Sequence, residues 1–90
     1  MHSAEYDWAL TADKKEGIHH LMITERKLPD FGKTVEKVSY LDGCKVYFRD
    51  GWVILRFSGT EPRIRVFAEA PSAEEAEALV RRMADFAGLP

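Results

Sequence analysis

The sequence predicts an α+β fold, with an antiparallel four-stranded sheet and two helices packed on one face. From residue 33 the hydrophobic pattern has a period of two, through four successive runs. Asp-Gly pairs separate the first three runs, and Asp-Gly between alternating runs is a strong signal for a tight hairpin. Segments with helical spacing precede and follow the strands, which predicts helices layered on the sheet.

Composition predicts one small globular domain over residues 1–90, since 46% of its residues are hydrophobic, enough for a single core. The net charge of −2 argues against a nucleic-acid partner, which normally selects a basic surplus. A lone cysteine, Cys44, excludes an internal disulfide and is typical of a reducing compartment. No apolar run approaches membrane-spanning length. We therefore expect a cytoplasmic domain without a membrane partner.

The first part of the chain predicts one helix. Residues 6–10 alternate weakly, which fits either a short edge strand or a lead-in. A helix is predicted over residues 12–26, because Thr11 is a suitable N-cap and Pro29 closes the segment. Its apolar residues recur at helical spacing, at Ile18, Leu21 and Met22.

Four strands are predicted over residues 35–41, 44–49, 52–57 and 63–70. A two-residue turn at Asp50-Gly51 would pair Arg49 with Trp52 and Phe48 with Val53. The second and third strands then share one apolar face, made of Cys44, Val46, Phe48, Val53, Leu55 and Phe57. A two-residue turn at Asp42-Gly43 would instead bring polar residues onto that face, so we expect a bulge or longer loop there.

The last segment is predicted to be a helix with clear ends. Ser72 and Glu75 form a capping box directly after Pro71. The apolar stripe that follows consists of Ala76, Leu79, Val80, Met83 and Phe86 or Ala87. Gly88 suits the left-handed position that ends a helix, and Leu89 is available to pack back against it.

The connection between the last two predicted strands has the composition of an anion site. Residues 56–65 contain two hydroxyls, a glycine and a proline between flanking arginines. Hydroxyls, an accessible glycine N–H and guanidinium groups are the donors that bind phosphate, although the same residues also make ordinary turns. The apolar residues of the last strand, Ile64, Val66 and Ala68, must face the core. Arg56 and Arg65 are therefore expected to share the opposite, outer face of the sheet.

Residues 50–70, with the sequence DGWVILRFSGTEPRIRVFAEA, resemble the C-terminal domain of the α-D-phosphohexomutases. This family comprises phosphoglucomutases, phosphomannomutases and phosphoglucosamine mutases. The family pattern Arg-x-Ser-Gly-Thr-Glu-Pro-x-x-Arg, followed by a strand ending in Glu-Ala, is matched without a gap. The resemblance extends loosely over nearly the whole chain. It implies a fold similar to that of the TATA-box-binding protein.

The resemblance also implies which residues bind phosphate. The matching positions are Arg56, Ser58, Gly59, Thr60 and Arg65. In such a mutase this loop would hold the non-reacting phosphate of a hexose phosphate, while a phosphoserine elsewhere exchanges its phosphoryl group with the sugar. Residues 1–90 would be the C-terminal domain of a larger enzyme and inactive alone. The other domains would be its partners and would supply the phosphoserine and Mg²⁺, and the identity of the sugar cannot be read from this chain.

The outer face of the sheet supports a different class of function. Tyr47, Trp52 and Phe67 lie there with several arginines and would suit single-stranded RNA, although the acidic balance and the loop pattern argue against it. The same surface would equally suit a purely structural contact with other domains. Adjacent histidines, His19 and His20, lack metal-ligand companions. Glu61 is expected to brace the loop or neighbouring N–H groups, and Glu69 either to pair with Arg63 or Arg65 on the outer face or to be solvated. We expect no catalytic or metal-binding residue in this chain.

Overall fold

Helices and strands follow one another along the whole chain, and the computed structural model describes residues 1–90. The strands are β1 (His2–Ala9), β2 (Lys37–Ser39), β3 (Cys44–Phe48), β4 (Gly51–Phe57) and β5 (Arg63–Ala70). Helix α1 (Ala12–His19) continues directly into a π-helical turn (His20–Thr24), and helix α2 (Ala73–Ala87) follows the last strand. Neither helix is long and apolar enough to cross a bilayer.

The sheet has five strands in the order β1-β5-β4-β3-β2, and every neighbouring pair is antiparallel. The prediction of four strands was wrong because β1 pairs with β5 along its full length, from His2 opposite Ala70 to Ala9 opposite Arg63. As an edge strand, β1 buries only Ala4 fully. Its hydrophobic pattern is therefore weak, and its pairing with β5 defines it better than its own sequence does.

The turn between β3 and β4 consists of Arg49 and Asp50, so Phe48 lies opposite Gly51 and Tyr47 opposite Trp52. The predicted pairing was wrong by two residues, since Phe48 was expected opposite Val53 and Trp52 opposite Arg49. A Cβ atom on Gly51 would meet the carbonyl oxygen of Glu69 at 2.2 Å, so this glycine serves the close contact with β5 rather than the turn. Because a shift of two residues keeps every side chain on its face, the predicted shared apolar face is confirmed.

A longer connection joins β2 to β3, as predicted. Residues 40–43 form the loop, which places Val38 opposite Val46 on the core side. β2 is shorter than the predicted strand over residues 35–41. Gly43 has φ +104°, and a Cβ atom there would meet the carbonyl oxygen of Leu55 at 2.2 Å. This loop therefore requires glycine at its end.

Both helices cover the inner face of the sheet, as predicted, and close a single core. Thr11 caps α1 by accepting a hydrogen bond from the Lys14 backbone at 3.1 Å. The predicted segment 12–26 begins where expected, but it widens to a π-helix from residue 20 while keeping its apolar side buried. Ser72 caps α2, and Gly88 ends it with φ 78°. The buried residues of α2 are Ala76, Leu79, Val80, Met83, Ala84 and Ala87.

Candidate functional site

Arg56 and Arg65 lie directly opposite each other in the register of β4 and β5. Their neighbours along the strands, Leu55, Ile64 and Val66, are buried in the core, so both guanidinium groups extend from the outer face. The predicted placement of the two arginines on one face is confirmed. Each side chain is about half exposed, at 51% for Arg56 and 50% for Arg65.

The loop between these strands, residues 58–62, is closed by its own hydrogen bonds. The Ser58 N–H donates to the Arg63 carbonyl at 3.2 Å, and the Arg63 N–H donates to the Glu61 carbonyl at 2.8 Å. The Ser58 hydroxyl also donates to the Glu61 carbonyl. The N–H groups of Gly59 and Thr60 donate to no group of the chain. The loop thus offers unpaired donors at its tip.

A concavity of about 350 Å³ lies between this loop and the two arginines. The predicted site residues Arg56, Ser58, Thr60 and Arg65 contribute to its wall. The other lining residues are Asp7, Phe57, Glu61 and Arg63. Gly59 lies at the exposed tip and does not line this space. The fold therefore brings four of the five predicted positions together and keeps the fifth in the adjoining loop.

Gly59 is not required by the fold itself. A Cβ atom at this position would meet nothing within 4 Å, and its φ lies outside the left-handed region. In contrast, Gly43 and Gly51 each face a backbone carbonyl that a Cβ atom would strike. A glycine without a conformational or packing role is consistent with close approach by something outside the chain.

Carboxylates already hold both arginines. Arg65 contacts Glu5 at 2.9 Å and Asp7 at 3.1 Å, both from β1, while Arg56 contacts Asp42 at 3.2 Å. These pairs are exposed, so each contributes roughly 0–1 kcal/mol. Sequence reasoning missed Glu5 and Asp7 because the pairing of β1 with β5 was not predicted, and it missed Asp42 because that residue lies in the loop between β2 and β3. The available signal was the two-residue spacing of Glu5 and Asp7, which places both on one face of a strand.

A further residue missed from the sequence, Lys15 of α1, lies on the side of the loop that faces the helix. Its ammonium group donates to the Ser58 carbonyl at 2.6 Å and to the Glu61 carbonyl at 2.9 Å. The His19 ring, one turn further along α1, packs edge-on against Phe57 with centroids 5.1 Å apart. No local pattern identifies Lys15, since 43 residues separate it from Ser58.

The two hydroxyls differ in their hydrogen bonding. The Thr60 hydroxyl makes no hydrogen bond within the chain, whereas that of Ser58 is used to close the loop. Ser58 must therefore rotate before it can donate to a bound anion.

Metal and thiol chemistry find no support in the side chains. No three His, Cys, Asp or Glu side chains converge where they could hold a metal ion. Cys44 is fully buried, and burial raises the pKa of its thiol to about 11. A neutral thiol of this kind serves as a small core side chain.

Comparison with known proteins gives consistent matches. The family model described as phosphoglucomutase/phosphomannomutase, C-terminal domain, matches residues 13–86. A phosphoglucomutase/phosphomannomutase of Thermococcus kodakarensis is 58% identical over 40 residues, covering 44% of this chain and 9% of that protein. A probable phosphoglucosamine mutase of Methanococcoides burtonii is 38% identical over 69 residues, covering 77% of this chain and 15% of that protein.

A crystal structure gives the same match at the level of the fold. A phosphoglucomutase/phosphomannomutase family protein from Burkholderia thailandensis superposes with a TM-score of 0.61 at 20% identity. The match covers 98% of this chain and 18% of that one. At this identity the likeness shows the α+β fold alone. The chain spans less than one fifth of the length of each of these three proteins.

Proposed function

The chain belongs to the phosphoglucomutase/phosphomannomutase family, as a C-terminal domain. From this premise we propose that it binds a sugar phosphate through the phosphate group. The site is the concavity lined by Arg56, Ser58, Thr60 and Arg65, together with the Gly59 N–H at the loop tip. The ligand is the non-reacting phosphate of a hexose phosphate. The parent is a cytoplasmic enzyme that moves a phosphoryl group between two positions of the sugar.

The observation that carries this proposal is the direct pairing of Arg56 with Arg65 beside the loop. Two guanidinium groups on one face present several N–H donors to the same space, a geometry that suits a dianion with three accessible oxygens. The unpaired N–H groups of Gly59 and Thr60 add backbone donors of the kind that anion-binding loops use. The open space around Gly59 supports a close approach of the ligand to the backbone.

Binding exchanges carboxylate partners for phosphate. The exposed pairs with Asp42, Glu5 and Asp7 contribute roughly 0–1 kcal/mol each, and each carboxylate contacts one arginine, whereas a phosphate dianion can accept from both arginines and from the loop N–H groups at once. The exchange therefore favours the dianion by a few kcal/mol. This corresponds to a dissociation constant in roughly the millimolar range, as expected when other domains share the ligand.

Within the parent enzyme this chain would bind and orient, not react. A phosphoserine and Mg²⁺, implied for the rest of the enzyme, supply the phosphoryl transfer when present. Arg56, Arg65 and the loop hold the remote phosphate, and that binding energy positions the reacting end of the sugar. Because the site contacts the phosphate rather than the ring, it accepts the sugar in either orientation. The chain alone would be inactive.

An amide-shift titration tests this proposal. The 90-residue chain is titrated with inorganic phosphate, a hexose 1-phosphate and a hexose 6-phosphate. We expect similar, weak responses to all three, concentrated at Ser58, Gly59, Thr60 and the two arginines. Arg56→Gln and Arg65→Gln should reduce these responses. Arg49→Gln is the matched control for both variants, because Arg49 is an exposed arginine in the β3–β4 turn, outside the concavity. Responses spread over the surface, or none at about 50 mM ligand, the concentration at which a millimolar site is nearly full, would contradict the proposal.

A second candidate function, contact with other domains of the parent enzyme, is supported by the outer face. Ile54 points outward yet is only 7% exposed, and it lies outside the main core cluster. The Trp52 and Phe67 rings beside it are 5.1 Å apart, and the Lys45 ammonium lies 4.3 Å from the Trp52 ring centroid. Single-stranded RNA is the alternative partner for this aromatic surface, and the net charge of −2 argues against it. A gel shift with single-stranded RNA separates the two alternatives.

A further inference from the structure

Helix α1 fixes the loop from behind through one side chain. The Lys15 ammonium joins two carbonyls, at 2.6 Å from Ser58 and 2.9 Å from Glu61, so it bridges both ends of the loop. Lys15 lies on the side of Thr60 and Glu61 that faces α1, and it does not line the concavity of the arginines. Its side chain is partly buried, so these contacts are less screened than those of a surface lysine.

The peptide geometry links this contact to the donors of the site. The Ser58–Gly59 peptide is trans, and in a trans peptide the carbonyl and the N–H point in opposite directions. Because Lys15 holds the Ser58 carbonyl toward α1, the Gly59 N–H must point away from α1. We propose that Lys15 is a positioning residue for phosphate binding, which orients the Ser58–Gly59 peptide so that its N–H is available to the anion. This inference rests on the proposed function.

Lys15 also allows Ser58 to change partners. The Glu61 carbonyl accepts hydrogen bonds from the Ser58 hydroxyl, the Arg63 N–H and Lys15. When the Ser58 hydroxyl rotates to donate to the anion, the other two donors still satisfy this carbonyl. The loop therefore keeps its shape while the hydroxyl is released. Without Lys15, both the Ser58 carbonyl and one bond of the Glu61 carbonyl would depend on water.

The neighbouring lysine provides a matched control. Lys14 is exposed, and its ammonium makes no hydrogen bond or ion pair, although its backbone N–H is capped by Thr11. Lys14→Met and Lys15→Met remove the same charge from the same helix and retain an apolar stem of good helix propensity. Only the second removes the bridge to the loop. Lys15→Arg restores donors at a similar reach.

Two measurements on the full 90-residue chain test the inference: ¹⁵N order parameters of Gly59 and Thr60, and the dissociation constant for inorganic phosphate. We expect Lys15→Met to lower the order parameters and weaken phosphate binding about tenfold, because preorganisation of the donors is lost. Urea unfolding should change little, Lys14→Met should match the wild type, and Lys15→Arg should recover at least half of the lost affinity.

The outcomes separate the inference from the proposal beneath it. If the wild type binds phosphate and Lys15→Met has the same order parameters and the same affinity, the positioning role is overturned, while the proposed phosphate site is retained. A loss of affinity equal to that of Lys14→Met overturns it as well, because charge alone would explain the effect. Absence of phosphate binding in the wild type overturns the proposed function and the inference together.

Discussion

Arg56 and Arg65 face each other across β4 and β5, so two like charges occupy one cross-strand pair. Like charges directly opposite each other destabilise a sheet. The nearby carboxylates Asp42, Glu5 and Asp7 offset this repulsion in the free domain. An arrangement that is unfavourable for the sheet alone is explained if an anion completes it.

Neutralising either arginine should therefore weaken phosphate binding while changing the stability of the domain little. We expect Arg56→Gln or Arg65→Gln to weaken phosphate binding by about 10- to 100-fold, since charge-assisted hydrogen bonds are lost. The free energy of unfolding should change by less than about 1 kcal/mol, because exposed ion pairs contribute little. Phosphate titration and urea unfolding of the same samples provide the check. Loss of binding only in proportion to loss of folding would contradict this account.

Removing a competing carboxylate should strengthen binding. Asp7→Asn frees Arg65 from one of its two acidic partners, so phosphate affinity should rise about three- to tenfold. Asp85→Asn is the control, because Asp85 pairs only with Arg81 of its own helix and lies outside the concavity. An equal gain in both variants would show a general effect of net charge instead.

Replacing each of two glycines with alanine should have different effects on the stability of the domain. Gly43→Ala should cost about 2–4 kcal/mol of stability, because its φ is +104° and the added Cβ atom would strike the Leu55 carbonyl. Gly59→Ala should leave stability unchanged or raise it by up to about 1 kcal/mol, while weakening phosphate binding. Urea unfolding and phosphate titration of both variants give the comparison. Unchanged binding in Gly59→Ala would remove the loop tip from the site.

Stability should fall at alkaline pH partly through Cys44. Burial raises the pKa of this thiol from 9.0 to about 11, so the unfolded chain loses its proton first. Below pH 9 Cys44 does not lower the free energy of unfolding. As the pH rises toward 11, it lowers that free energy by about 1–3 kcal/mol. Cys44→Ala should show a shallower decline in urea unfolding over this range. The Tyr6 and Tyr40 pKa values are also raised, so some decline will remain in the variant.

The features that sequence reasoning predicted well are those set by side-chain alternation. The shared apolar face of β3 and β4 and the common face of the two arginines follow from a period of two. A shift of two residues in the β3–β4 register leaves every side chain on its face. The shift itself depends on Gly51 lying against the Glu69 carbonyl, a contact with another strand. Local pattern cannot report such a contact.

The features missed are those created by distant partners. β1 is a strand because β5 lies beside it, and its carboxylates reach Arg65 only through that pairing. Lys15 likewise gains its two carbonyl contacts from a loop far along the chain. Each would read as an ordinary exposed charge in the sequence alone.

A crystal structure of the chain with a bound hexose phosphate tests the central proposal most directly. We expect the phosphate oxygens within about 3 Å of both the Arg56 and Arg65 guanidinium groups and of the Gly59 N–H, with Asp42, Glu5 and Asp7 released. A phosphate bound elsewhere, with both arginines still on their carboxylates, would contradict it.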